Sequence, residues 1–140
     1  MGFDWIRVSL RSWKPGTTIG AEPFQLLNLQ PGDGLQSSEG SSEGQAALIY
    51  FVDEELASHT AADEPSAAFA GAVRAGLIRG AAWIESRPAG TFDRCRAAGL
   101  ELDVFVGGWI EQDQMDLDLP AQFLRACGNA GLAISIVTND

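Results

Sequence analysis

CRAAGLELDV (Cys95–Val104) and CGNAGLAISI (Cys127–Ile136) repeat one local design at a spacing of thirty-two residues. Each copy is a short amphipathic run, then Ala-Gly-Leu, then alternating apolar residues. The pattern predicts a helix, a glycine stop and a strand, because glycine enters the left-handed conformation that ends a helix without the steric cost of a Cβ. After Gly99, Leu100, Leu102, Val104 and Val106 fall on one face of a strand while Glu101 and Asp103 fall on the other. Gly107-Gly108 reads as the end of that strand, and Leu132 to Val137 as a second, final one. Thr91 is placed to cap the first helix and Asp118 the second, with Pro120 in the second helix's first turn. Phe123, Leu124 and Cys127 form the apolar side of that second helix.

Upstream, Ile6, Val8 and Leu10 alternate with Arg7, Ser9 and Arg11, the period of a half-buried strand. Trp13 extends its polar side and Pro15-Gly16 stops it. Phe24, Leu26 and Leu27 suggest a short helix within Ala21 to Leu29, after Pro23. From Pro31 to Gly44 the chain offers Gly, Ser, Asp, Glu and Gln with almost nothing to bury, so a mobile loop is expected over 31–44. The run Ala46 to Val52 is apolar on both faces, which predicts a central strand covered on both sides. A polar connection, Asp53 to Glu64, leads to Pro65 in the first turn of a helix with Phe69, Val73, Leu77 and Ile84 near one stripe. Ala75-Gly76-Leu77 is a third Ala-Gly-Leu. Either the helix stops there and Ala81 to Ser86 is a strand, or the helix runs through; local rules leave both open.

The expected fold is α+β: one domain over residues 1–140, a two-layer sandwich of a four- to five-stranded antiparallel or mixed sheet with two to three helices on one face. Two short β-α-β units would give a ferredoxin-like arrangement. Of the 140 residues 46% are hydrophobic and 20% charged, ordinary for a folded domain. No apolar run reaches the roughly 18 residues of a membrane span, and the first residues interleave Asp4 and Arg7 with apolar ones, unlike a signal peptide. The expectation is a cytoplasmic protein with no membrane partner.

Nine Lys and Arg against nineteen Asp and Glu give a net charge of −10. Phosphate binding needs concentrated basic residues, so nucleic acid is not an expected partner. The charge suits a basic protein partner, or serves solubility alone. Five arginines between Arg74 and Arg96 face only Glu85 and Asp93 in residues 71–98, so the excess acid lies elsewhere.

No stretch announces a reaction. Cys95 and Cys127 sit at matching positions and read as small reduced core residues. His59 stands near Asp53, Glu54, Glu55, Asp63 and Glu64, where a carboxylate could orient a general base, yet no nucleophile accompanies it and a solvated histidine is the simpler reading. Glu111, Asp113, Asp116 and Asp118 could gather oxygens around Mg²⁺ or Ca²⁺, but they miss the calcium-loop spacing and fit the solvent side of an extended stretch. There is no phosphate loop, and no cofactor is expected. The surface feature of most interest is Trp109, Ile110, Glu111, Asp113 and Asp116: an aromatic anchor with an acidic rim, tryptophan being enriched at interface hot spots. Its alternative is a Trp109 folded back over the sheet edge.

Phe92 through Gly108, with Leu117-Asp118-Leu119-Pro120, Phe123-Leu124, Gly131-Leu132 and Ile134-Ser135-Ile136, resembles a widespread bacterial family of small α+β proteins of unknown function. The resemblance covers roughly residues 90 to 137 and transfers no functional residue. It implies a compact domain without an assigned enzyme activity, some relatives being immunity-like proteins found near toxin genes. The leading expectation is a non-enzymatic protein-binding module, an immunity-type inhibitor of a basic toxin being one form. The alternatives are a carboxylate-dependent divalent-metal enzyme and a homodimeric structural protein paired through a strand edge.

Overall fold

Strand β1 (Phe3–Trp13) is the middle of a five-stranded mixed sheet in the order β2-β3-β1-β4-β5. The computed structural model of the chain describes residues 2–14, 26–27, 35–37, 47–111 and 116–139. Antiparallel to β1 run β3 (Ala47–Glu55) on one side and β4 (Glu101–Ile110) on the other. The outermost strands are β2 (Leu35–Ser37), antiparallel to β3, and β5 (Ala133–Thr138), parallel to β4. Three helices, α1 (Pro65–Glu85), α2 (Thr91–Ala97) and α3 (Ala121–Asn129), make the second layer. This is the expected α+β sandwich, but its topology is not ferredoxin-like. The connection from β3 to β4 is split around β1, whereas β4-α3-β5 joins adjacent parallel strands.

The core follows from strand alternation. Ile6, Val8 and Leu10 of β1, with Val104 and Val106 of β4, meet Phe69, Val73, Leu77, Ala81 and Ile84 of α1, Phe92 and Cys95 of α2, and Phe123, Ala126 and Cys127 of α3. β3 reads as apolar on both faces for a different reason from the one expected. A register shift between Val8 and Ser9 lets Phe51 and Val52 both turn toward the helices. Leu48 and Tyr50 lie on the opposite face, which no described helix covers.

The repeat is real in three dimensions. Gly99 and Gly131 have φ of +86° and +68°. Leu100 and Leu132 donate their N–H groups to the carbonyls of Cys95 and Cys127, while Gly99 and Gly131 donate to Arg96 and Gly128. These are the two crossed hydrogen bonds of a Schellman helix stop, made twice from the same residue spacing. The copies also touch: Arg96 Nη2 donates to the carbonyls of Ala130 and Gly131 at 2.6 and 2.9 Å, satisfying acceptors at the end of α3.

Gly76 is not a stop. The helix continues to Glu85, so Ala81 to Glu85 is helical. A Cβ on Gly76 would stand 2.6 Å from the Phe51 carbonyl oxygen, and one on Gly80 would stand 2.7 Å from the Phe51 ring. These glycines let α1 lie directly on β3. Gly107 and Gly108 do not end β4 either, which runs on to Ile110. The Phe3 ring occupies the place of a Gly108 side chain, and the Phe105 ring lies beside Gly107.

Other expectations are corrected at element ends. Gly90, not Thr91, is the N-cap of α2, and the Thr91 hydroxyl donates to the Pro88 carbonyl. Pro120, not Asp118, is the N-cap of α3, because an extended ψ of 144° at proline leaves helical geometry to begin at Ala121. Leu35–Ser37 pairs with β3 inside the stretch expected to be a mobile loop, since backbone pairing on an existing strand needs no apolar side chains. The rest of 31–44, and all of Ala21 to Leu29 except Leu26 and Leu27, lie outside the described residues; Leu27 is buried. Beyond β5, Asn139 adopts a φ of 60°. Its side-chain amide accepts from Ile110 N at 2.7 Å and donates to Ile110 O at 2.9 Å, continuing the β4–β5 ladder by one step. No helix among the described residues is long and apolar enough to cross a membrane.

Candidate functional site

The sheet face turned away from the helices gathers three of the chain's four tryptophans, together with Tyr50, Phe105, Arg7 and Arg11. From Trp5 onward the odd-numbered residues of β1 point to it: Trp5, Arg7, Ser9, Arg11 and Trp13, whereas Phe3, beyond a register shift, lies in the core. In register beside them lie Trp109, Gly107, Phe105, Asp103 and Glu101 of β4. On the β3 side stand Glu55, Asp53, Tyr50 and Leu48.

Both arginines are compensated across a strand boundary. Arg7 Nε pairs with Asp53 at 3.0 Å in the open. Arg11 grips Asp103 with two hydrogen bonds, Nε to Oδ1 at 2.8 Å and Nη2 to Oδ2 at 2.5 Å, and the Asp103 side chain is only 13% exposed. Its guanidinium also stacks 4.2 Å from the Phe105 ring centroid and 5.3 Å from that of Trp13, as Arg7 does 5.1 Å from Trp5. Cation–π contact and a two-pronged carboxylate hold Arg11 flat against the sheet. Asp103→Ala would leave that guanidinium unpaired in a half-buried place, so a loss of about 2 kcal/mol is expected, read as a lower urea midpoint.

Trp109 is 41% exposed on this face, so it does not fold back as core. Trp5 lies between it and Glu55, and Trp13 lies beside Glu101. Each end of the strip therefore sets a tryptophan beside a carboxylate. Ile110 points the other way and packs against the core, since successive strand residues face opposite sides. Glu111 and Asp116 are exposed, and Asp113 lies outside the described residues. Trp5, Trp13, Tyr50 and Phe105 were not singled out from the sequence. The signal was available in the odd positions of β1, where tryptophan and arginine alternate on what reads as a polar face.

Other candidates carry less chemistry. His59 ends a short 3-10 turn (Leu56–His59) after β3, with Nε2 2.9 Å from Glu54 and its ring edge-on to Phe69, a half-buried structural setting rather than a solvated one. Among the described residues no group of three or more His, Cys, Asp or Glu side chains is placed to hold a metal ion. A solvent-open groove between the end of α1, α2 and α3, lined by Arg87, Pro88, Phe92, Asp93 and Asn129, contains neither histidine nor cysteine.

Cys95 and Cys127 are free and buried. Burial pushes both thiols up, Cys127 to about 11, while Arg94 and Arg96 pull Cys95 partly back. Each folded-state value lies above the ordinary 9.0, so the stability these neutral thiols contribute is complete below pH 9 and is lost as the pH rises through their raised values, about 11 for Cys127. Denaturant midpoints should therefore fall between pH 9 and 11, and thiol reagents should label neither residue at neutral pH until the fold opens.

Comparison with protein-family models, with curated proteins and with solved structures finds no match to this chain.

Proposed function

We propose that the protein is a non-enzymatic, cytoplasmic binding module that docks a basic protein segment on its helix-free sheet face, an immunity-type inhibitor of a basic toxin being one form of this activity. The observation that carries it is the pairing of tryptophan with carboxylate at both ends of the strip, Trp5 with Glu55 (and Trp109 on the other side of Trp5), and Trp13 with Glu101. An aromatic face beside an acid attracts Arg and Lys side chains, which cation–π contact and charge both favour. The chain's charge of −10 supplies long-range attraction for the same kind of partner. Arg7 and Arg11 do not oppose it, because Asp53 and Asp103 already neutralise them.

The test is a paired capture from the source cell with the natural chain and with Trp109→Ala. The natural chain is expected to retain a basic protein, and the variant to bind it at least ten-fold more weakly, the loss typical of truncating an aromatic hot spot. Ile78→Ala, at an exposed position on α1, should bind as the natural chain does. Equal binding by all three proteins, or retention of acidic proteins only, would contradict the proposal.

A further inference from the structure

The two edges of the sheet are built differently. β2 is three residues long, and a short edge strand gives little purchase to an incoming chain. β5 is six residues long, Ala-Ile-Ser-Ile-Val-Thr, and pairs with β4 in an unbroken register. It has no lysine, no proline and no bulge, the devices by which sheet edges are kept from pairing. None of its six residues is buried, and Ile136 is 44% exposed. Asn139 N–H points to Gly108 O, so the alternation of the backbone turns the N–H and C=O groups of Ile134, Ile136 and Thr138 away from β4.

We infer that the outer edge of β5, against which no described strand lies, pairs antiparallel with β5 of a second copy of this chain, about a two-fold axis at Ile136. A second copy is the occupant because the strip is self-complementary and uncharged. Residues 132–139 contain no ionisable side chain, so two chains of charge −10 meet there without setting carboxylate against carboxylate. About the axis, Ile136 exchanges both backbone hydrogen bonds with its counterpart, and Ile134 does so with Thr138 of the second copy, on the order of six bonds in all. The Ile136 side chain shares the helix side of the sheet with Val106, and Leu124, 47% exposed, lies on the helix that packs against β5. Both would be covered from the helix side. The helix-free faces of the two copies would then join into one ten-stranded surface. The inference rests on β5 alone, and its failure leaves the basic-partner reading standing.

Sedimentation of the natural chain at tens of micromolar should give twice the chain mass. Ile136→Lys sets two cations on the axis and should give the single-chain mass with an unchanged circular dichroism spectrum, because position 136 is substantially exposed. Ile136→Cys should form an intermolecular disulfide under mild oxidant, since Cα atoms of a directly opposed hydrogen-bonded pair lie about 5.5 Å apart. Thr138→Cys should not, its counterpart being several residues along the partner strand. A natural chain that stays at single mass, a dimer that survives Ile136→Lys, or equal cross-linking at 136 and 138 would overturn the inference.

Discussion

Replacing Gly76 with alanine should destabilise the protein by about 3 kcal/mol, while the same change at Gly71 in the same helix should stabilise it by about 1 kcal/mol. Helix propensity favours alanine equally at both positions, so the sign is decided by what the new methyl meets. At Gly71 there is nothing within 4 Å. At Gly76 it would meet the Phe51 carbonyl oxygen at 2.6 Å and a Val52 methyl at 2.7 Å, and the first of these is backbone of β3. Neither partner has room to yield. The helix would have to lift off the sheet, loosening Val73, Leu77 and Gly80 on either side. Urea midpoints of the two variants, measured under one set of conditions, check both signs at once.

Phe123→Ala should cost about 4 kcal/mol, and Phe123→Leu no more than about 1.5 kcal/mol. Phe123 is fully buried and stands edge-on to Phe51, with ring centroids 6.3 Å apart and planes at 80°. Phe51 in turn leans on Trp83 and fits under Gly80. Alanine would open a cavity where α3, α1 and β3 meet, and the close approach of α1 to β3 leaves little freedom for the walls to collapse into it. Leucine keeps most of the volume and loses chiefly the ring-to-ring geometry. Thermal unfolding of the pair separates these contributions.

The helix stops at Gly99 and Gly131 were legible because the apolar period changes just after each of them. Beyond Gly99 the apolar residues alternate, whereas beyond Gly76 the helical stripe resumes with Leu77, Ala81 and Ile84. The same Ala-Gly-Leu tripeptide thus carries opposite meanings, and the period of the next residues distinguishes them. Gly108 misleads for another reason: the need for glycine there comes from Phe3, at the far end of the chain, and no local rule contains it. β2 was illegible because its pairing is made by backbone on the waiting edge of β3. The binding face was half legible. Trp109 was visible as an anchor after a strand, but its companions Trp5 and Trp13 come from β1, and only the register of β1 with β4 brings them together.

The four tryptophans offer the most direct test of the helix-free face as the working surface. Trp5, Trp13 and Trp109 stand on it, while Trp83 belongs to α1 on the other side of the sheet, packed against Phe51 and Arg87. In a titration of ¹⁵N-labelled protein with an arginine-rich peptide, the indole N–H signals of Trp5, Trp13 and Trp109 should move together and that of Trp83 should stay. Movement of Trp83 with the other three unchanged, or no movement of any indole at millimolar peptide, would contradict the account.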